Sequence, residues 1–121
     1  MSTAMDMNWE NAEMTLGGNE TIFIDIWSPE DAPSTNFHPV FEKVAAKHED
    51  VAFARINTHE EPGLAEALGI ARTPTLMVVK KRQDILQKTE GIEEQTLDDL
   101  VEVVREIDVD ELILQALSNQ D

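Results

Sequence analysis

Thr21 to Pro39 reads TIFIDIWSPEDAPSTNFHP, and the architecture of the whole chain can be argued from this stretch. Its first seven residues, Thr21 to Trp27, are β-branched or apolar with one charge, Asp25, the composition of a strand buried on both faces. Pro29, Pro33 and Pro39 then punctuate the chain. From Ser34 onward Phe37, Phe41, Val44 and Ala45 recur at three- and four-residue spacings, which predicts an amphipathic helix. Pro39 falls inside that helix and is expected to kink it, because proline lacks an N–H and its ring crowds the preceding turn.

On the N-terminal side, residues 1–7 read as loosely ordered or as a short edge strand, and Asn8 to Leu16 as a short helix ended by Gly17-Gly18. On the other side, Val51 to Asn57 alternates as a second strand, and Pro62 to Leu68 is a short helix stopped by Gly69. Thr75 to Lys80 and Asp84 to Glu90 form a hairpin through the basic turn Lys80-Lys81-Arg82. A last helix carries Leu97, Leu100, Val101, Val104 and Ile107 on one face. The order β-α-β-α followed by β-β-α requires a parallel pairing with a right-handed crossover, then an antiparallel hairpin covered by a helix. The expected class is α/β: a central mixed sheet flanked by helices on both sides.

The composition is that of a globular chain, with 41% hydrophobic and 28% charged residues over a length suited to one core. Twenty-five acids against nine Lys and Arg give a formal net charge of −16, a field that repels nucleic acid and anionic membranes. The apolar runs are strand-sized, and Met1 to Glu13 lacks the basic-then-apolar layout of a secretory signal, so a cytoplasmic location is expected. From Glu90 to the end there are eleven acids and one base, Arg105. That face reads either as solvated surface or as a docking face for a basic protein partner.

The quoted stretch resembles the active-site segment of the thioredoxins, where an apolar strand with a buried Asp leads to Trp, Cys-Gly-Pro-Cys and a helix containing proline. Here those positions are Asp25, Trp27, the tetrapeptide Asp31-Ala32-Pro33-Ser34, and Pro39. Ala67 to Val79, ALGIARTPTLMVV, is similar to the stretch leading into the family's cis-proline, which places it at Pro74 with Thr73 before it. In AFARINTHEEPGLAEALGI, Arg55 stands where the family has a lysine, and Gly91 matches the glycine bordering its substrate groove. The resemblance spans about residues 8 to 107. It implies a thioredoxin-like domain over 1–107, with 108–121 as an added C-terminal helical segment. It also implies a peptide groove formed by Trp27, Ala32, Pro33, Thr73, Pro74, Gly91 and Ile92. Glu30 replaces the family's second aromatic, and both redox cysteines are replaced, by Asp31 and Ser34.

Disulfide exchange needs an attacking thiolate and a second thiol to release the mixed disulfide, and the chain contains no cysteine. Neither carboxylate nor hydroxyl can take sulfur's part in that couple, so no oxidoreductase activity and no cofactor are expected. Asp31 reads as a helix N-cap accepting from the backbone N–H of Ala32 or Ser34, or as a permanent anion where the family presents a thiolate. Ser34 and His38, four apart, do not make a hydrolase with Asp31, for no oxyanion hole is evident and the helix is distorted at Pro39. His59, Glu60 and Glu61 are consecutive loop residues without a fourth ligand, so no metal site is expected. Asp25 and Arg55 fall on adjacent strands and are expected to form a buried ion pair, since a charge within an apolar strand demands a partner.

Val109, Leu112, Ile113, Ala116 and Leu117 predict a tail helix capped by Asp110, either packed on the domain or serving association with a partner or a second copy. The expected function is that of a redox-inactive protein-binding, adaptor or chaperone-like module. The alternative is a member of the disulfide oxidoreductase lineage whose active-site cysteines were lost or replaced.

Overall fold

A computed structural model describes residues 4–90 and 92–119; Gly91, expected at the groove, lies outside the described residues. Ten elements follow one another: β1 (Met5–Asp6), α1 (Trp9–Gly18), β2 (Thr21–Trp27), α2 (Ala32–Lys47), β3 (Ala52–Asn57), α3 (Pro62–Ala67), β4 (Thr75–Lys80), β5 (Gln83–Lys88), α4 (Glu94–Glu106) and α5 (Val109–Ser118). The sheet order is β1-β3-β2-β4-β5. β2 lies in the middle, parallel to β3 and antiparallel to β4, which makes the sheet mixed. This is the thioredoxin-like α/β fold expected from the sequence.

Strand alternation divides the core into two layers. Phe23, Phe53, Leu76 and Val78 face α2 and α4, meeting Phe37, Phe41, Val44, Leu97, Val101 and Val104. Ile22, Ile24, Ile26, Ala54, Ile56 and Met77 face the opposite layer with Ala12 of α1 and Leu64 of α3. Because both faces of β2 are covered, its continuous apolar run is what burial requires. In the β2–β3 register Phe23 pairs with Phe53 and Asp25 with Arg55. The charged pair thus occupies the next rung on the aromatic face.

Several local expectations are corrected. α2 begins at Ala32, two residues before the expected Ser34, and runs to Lys47 with Pro39 inside it. α1 includes Gly17 and Gly18 instead of stopping before them, held at its start by a reciprocal capping box between Asn8 and Asn11. Lys80 is not part of the hairpin turn. It ends β4, is 5% exposed, and its Nζ donates to the carbonyls of Val104 at 2.7 Å and Ile107 at 2.6 Å. The buried ammonium therefore adds a donor to carbonyls at the end of α4, at the negative pole of the helix. The turn proper is Lys81-Arg82, both at positive φ (50° and 66°), the twist a two-residue hairpin requires.

The tail also differs from expectation. Asp108, not Asp110, caps α5, accepting from the N–H of Glu111 at 3.0 Å, because helical geometry starts at Val109. Asp110 instead pairs with Lys81 at 3.1 Å. Val109 alone of the α5 side chains is buried; Leu112, Ile113, Leu114 and Leu117 are exposed, so the helix is not packed along the domain. Part of the acidic face is neutralised within the chain. Lys43 and Lys47 of α2 reach Glu94, and Lys47 and His48 reach Asp98.

Candidate functional site

β2 delivers the chain to the N-terminus of α2, where Asp31 and Ser34 occupy the family's two sulfur positions. Asp31 Oδ2 accepts from Ser34 Oγ at 2.8 Å and from Thr73 Oγ1 at 3.2 Å. It makes no side-chain cap to the helix backbone, contrary to the sequence reading. The reason lies in Ser34, which is wholly buried, so its hydroxyl must find an acceptor inside the protein. Asp31 supplies that acceptor. Thr73, preceding Pro74 through a cis peptide bond, places its hydroxyl on the same oxygen. One carboxylate oxygen thus ties the start of α2 to the proline loop.

Beside this network lies a cavity of about 440 Å³. Pro33, Thr73, Pro74 and Ile92 of the expected groove line it, together with Asp31. Ala32 is exposed on the first turn and lies outside it, and so does Trp27. Trp27 turns toward β3 and lines a second hollow of about 300 Å³ with Arg55, Asn57 and Asp6. Sequence reasoning missed Phe37, Val40, Arg72 and Glu90 as lining residues. Phe37 and Val40, at i and i+3 on α2, carried a usable signal, since the helix face beginning at Ser34 must pass the cavity. Nothing in the one-dimensional pattern distinguished Arg72 and Glu90 from other surface charges.

Behind Trp27 sits the charged cluster. Asp25 is fully buried, and Arg55 Nε approaches its Oδ2 at 3.6 Å, an ion pair too long for a hydrogen bond. Neither Asp25 oxygen has a hydrogen-bond partner among the described residues. Burial pushes the Asp25 carboxyl up to about 7, against the opposing pull of the Arg55 guanidinium. Arg55 also lies 4.7 Å above the Trp27 ring and donates to His38 Nδ1. Burial, then the neighbouring guanidinium, lowers the His38 pKa. Because a guanidinium only donates, Nδ1 must be the acceptor, which places the imidazole proton on Nε2, 3.9 Å from Glu42. His38 and Glu42 were not foreseen as members of this cluster. Ser34 and His38 face different partners, Asp31 and Arg55, so the geometry assembles no nucleophile–base pair. His59 extends outward to Glu30 at 4.0 Å, while Glu60 accepts from Asn57.

Sheet order, a cis-proline loop against the start of α2, and a buried Asp on the central strand define a thioredoxin-like domain carrying oxygen side chains at both sulfur positions. The chain belongs to the thioredoxin family: the profile of that family, described as Thioredoxin, matches residues 3–106. It is 33% identical over 112 residues to the protein named "Putative thioredoxin 2" of Streptomyces coelicolor, covering 93% of this chain and 84% of the relative. It is 28% identical over 88 residues to Thioredoxin 1 of a Nostoc species, covering 72% and 82%. Among solved structures, a mutant thioredoxin from Halobacterium salinarum NRC-1 superposes with a TM-score of 0.78 at 23% identity, covering 89% of this chain and 97% of that one. Human ERp44 in its zinc-bound form gives 0.77 at 19% identity, covering 84% of this chain and 30% of that one. These structural likenesses bear on the fold alone. Among the described residues, no helix is long and apolar enough to cross a membrane.

Proposed function

We propose that this chain is a redox-inactive thioredoxin-like protein that binds an extended segment of a partner protein in the groove beside Thr73-Pro74, as an adaptor or chaperone-like module of the cytoplasm. The observation that carries this reading is the filled thiol site. Asp31, Ser34 and Thr73 are joined by hydrogen bonds, while the adjoining cavity keeps an apolar wall of Phe37, Val40 and Ile92. The site has oxygen chemistry where the reaction needs sulfur, and a concave surface where binding needs none. Arg72 and Glu90 at the cavity give a peptide two opposite charges against which to orient.

Two experiments test this. Reduction of insulin by dithiothreitol, followed by turbidity, is expected to proceed at the blank rate; acceleration by the purified protein overturns the redox-inactive reading. Binding is measured against a reduced, carboxymethylated model protein that stays unfolded. Saturable binding is expected, lost on Ile92→Asp and Val40→Asp; equal binding by both variants overturns the groove.

A second reading, a lineage that lost its cysteines with its site geometry intact, draws support from the 2.8 Å contact between the Asp31 and Ser34 side chains. If it holds, Asp31→Cys with Ser34→Cys yields disulfide reductase activity.

A further inference from the structure

α5 is a built element and not a trailing end. Asp108 caps it, Val109 anchors it in the domain, Asp110 is tied to Lys81, and Lys80 Nζ holds the carbonyl of Ile107 just before it. Beyond this base the helix presents Leu112, Ile113, Leu114 and Leu117, which are 47%, 43%, 60% and 59% exposed. Glu111, Gln115 and Ser118 form a single polar strip at i, i+4 and i+7, and Gln115 donates to Glu111 at 3.4 Å. The rest of the circumference is apolar apart from Asp110, which is held by Lys81, and nothing among the described residues covers the four aliphatic side chains. Four large aliphatic side chains on one capped helix form the kind of surface that docks by helix pairing.

Charge selects the occupant. Glu106, Asp108 and Glu111 are exposed around the base of this face, in a chain of net charge −16. A second copy carries the same acids and the same net charge of −16, which opposes pairing. A lipid surface is disfavoured because the polar strip lacks the Lys and Arg with which interfacial helices hold headgroups. We propose that α5 docks a basic amphipathic helix of another protein. Aliphatic residues of that helix cover Leu112, Ile113, Leu114 and Leu117, and its Lys or Arg flank Glu106, Asp108 and Glu111.

The proposal is independent of the groove and is tested with the full chain. A fluorescently labelled Lys–Leu amphipathic helical peptide is titrated by anisotropy. Saturable one-to-one binding is expected, weakened about tenfold by Leu114→Gln with Leu117→Gln and several-fold by Glu106→Gln with Glu111→Gln. Ile92→Asp is expected to leave it unchanged, separating this surface from the groove. Should the Gln pair lower the helical circular dichroism, Leu114→Ala with Leu117→Ala replaces it and must shift affinity in the same direction. Wild-type affinity in the leucine variants would mean attraction by net charge alone and overturns the proposal. So would equal binding of a Glu–Leu counterpart peptide, binding to phosphatidylcholine vesicles, or a sedimenting dimer dissolved by the leucine substitutions.

Discussion

Asp25 and Asp31 stand six residues apart, one on each side of the turn from β2 into α2, and their surroundings are opposite. Asp31 is partly open to solvent, and two hydroxyls donate to one of its oxygens. Asp25 has no exposure and no hydrogen bond among the described residues, and the Arg55 guanidinium approaches it only to 3.6 Å. At the loop the polar side chains answer one another: a buried Ser34 needs an acceptor, and Asp31 is that acceptor. In the strand the carboxylate is held by burial and a distant guanidinium. The former thiol positions are therefore locally self-consistent, whereas the buried Asp remains a source of instability when it ionises.

The largest effect should come from Asp25. Its pKa is raised in the folded state, so between the ordinary carboxylate range and about 7 the folded protein binds the extra proton and stability falls as pH rises. A displacement from 3.8 to about 7 corresponds to as much as about 4 kcal/mol. Asp25→Asn should therefore be more stable than the parent at pH 8, with the gain shrinking toward zero near pH 4. Urea denaturation across that range measures it, and a pH-independent difference would erase the contrast between the two carboxylates.

Next in size is Arg55→Leu, which removes the opposing cation and should move the Asp25 carboxyl above about 7. The expected loss at pH 8 is about 3 kcal/mol, and smaller at pH 5 where the carboxyl is neutral. Carboxyl-carbon NMR titration reads the pKa directly.

Asp31→Ala should cost about 2 kcal/mol by stranding the buried Ser34 hydroxyl, and Asp31→Ala with Ser34→Ala should recover most of it. Full additivity of the two substitutions would show that the 2.8 Å contact carries no coupling. Smallest is Thr73→Val, about 1 kcal/mol, since Asp31 keeps its stronger bond to Ser34. Thermal melts at constant pH suffice for these variants, with Ser34→Ala alone completing the cycle.

Much of the fold was legible in the sequence because its signals are local and periodic. TIFIDIW occupies Thr21–Trp27 as expected, since a β-branched run with both faces apolar has no other way to hide itself. The cis bond before Pro74 also lies where the resemblance placed it. The site was only half legible. Pro33, Thr73, Pro74 and Ile92 meet at the cavity, but Trp27 lines another hollow, because its ring packs over Arg55 and edges against His38 at 5.9 Å. Lys80 read as a turn residue, since only the arrival of α4 beneath β4 reveals three carbonyls for its ammonium.

The absence of cysteine, the order of strands and helices, and the pairing of a lone strand acid with a base all follow from the chain read alone, for they depend on composition, periodicity and register. What each polar atom does was settled by tertiary structure. Asp31 turns from the helix backbone to Ser34 and Thr73, His38 joins Arg55, and the aliphatic side chains of α5 face solvent. The physical reason is that hydrogen-bond partners and burial are set by residues distant in the chain, and no local period encodes which of them will arrive.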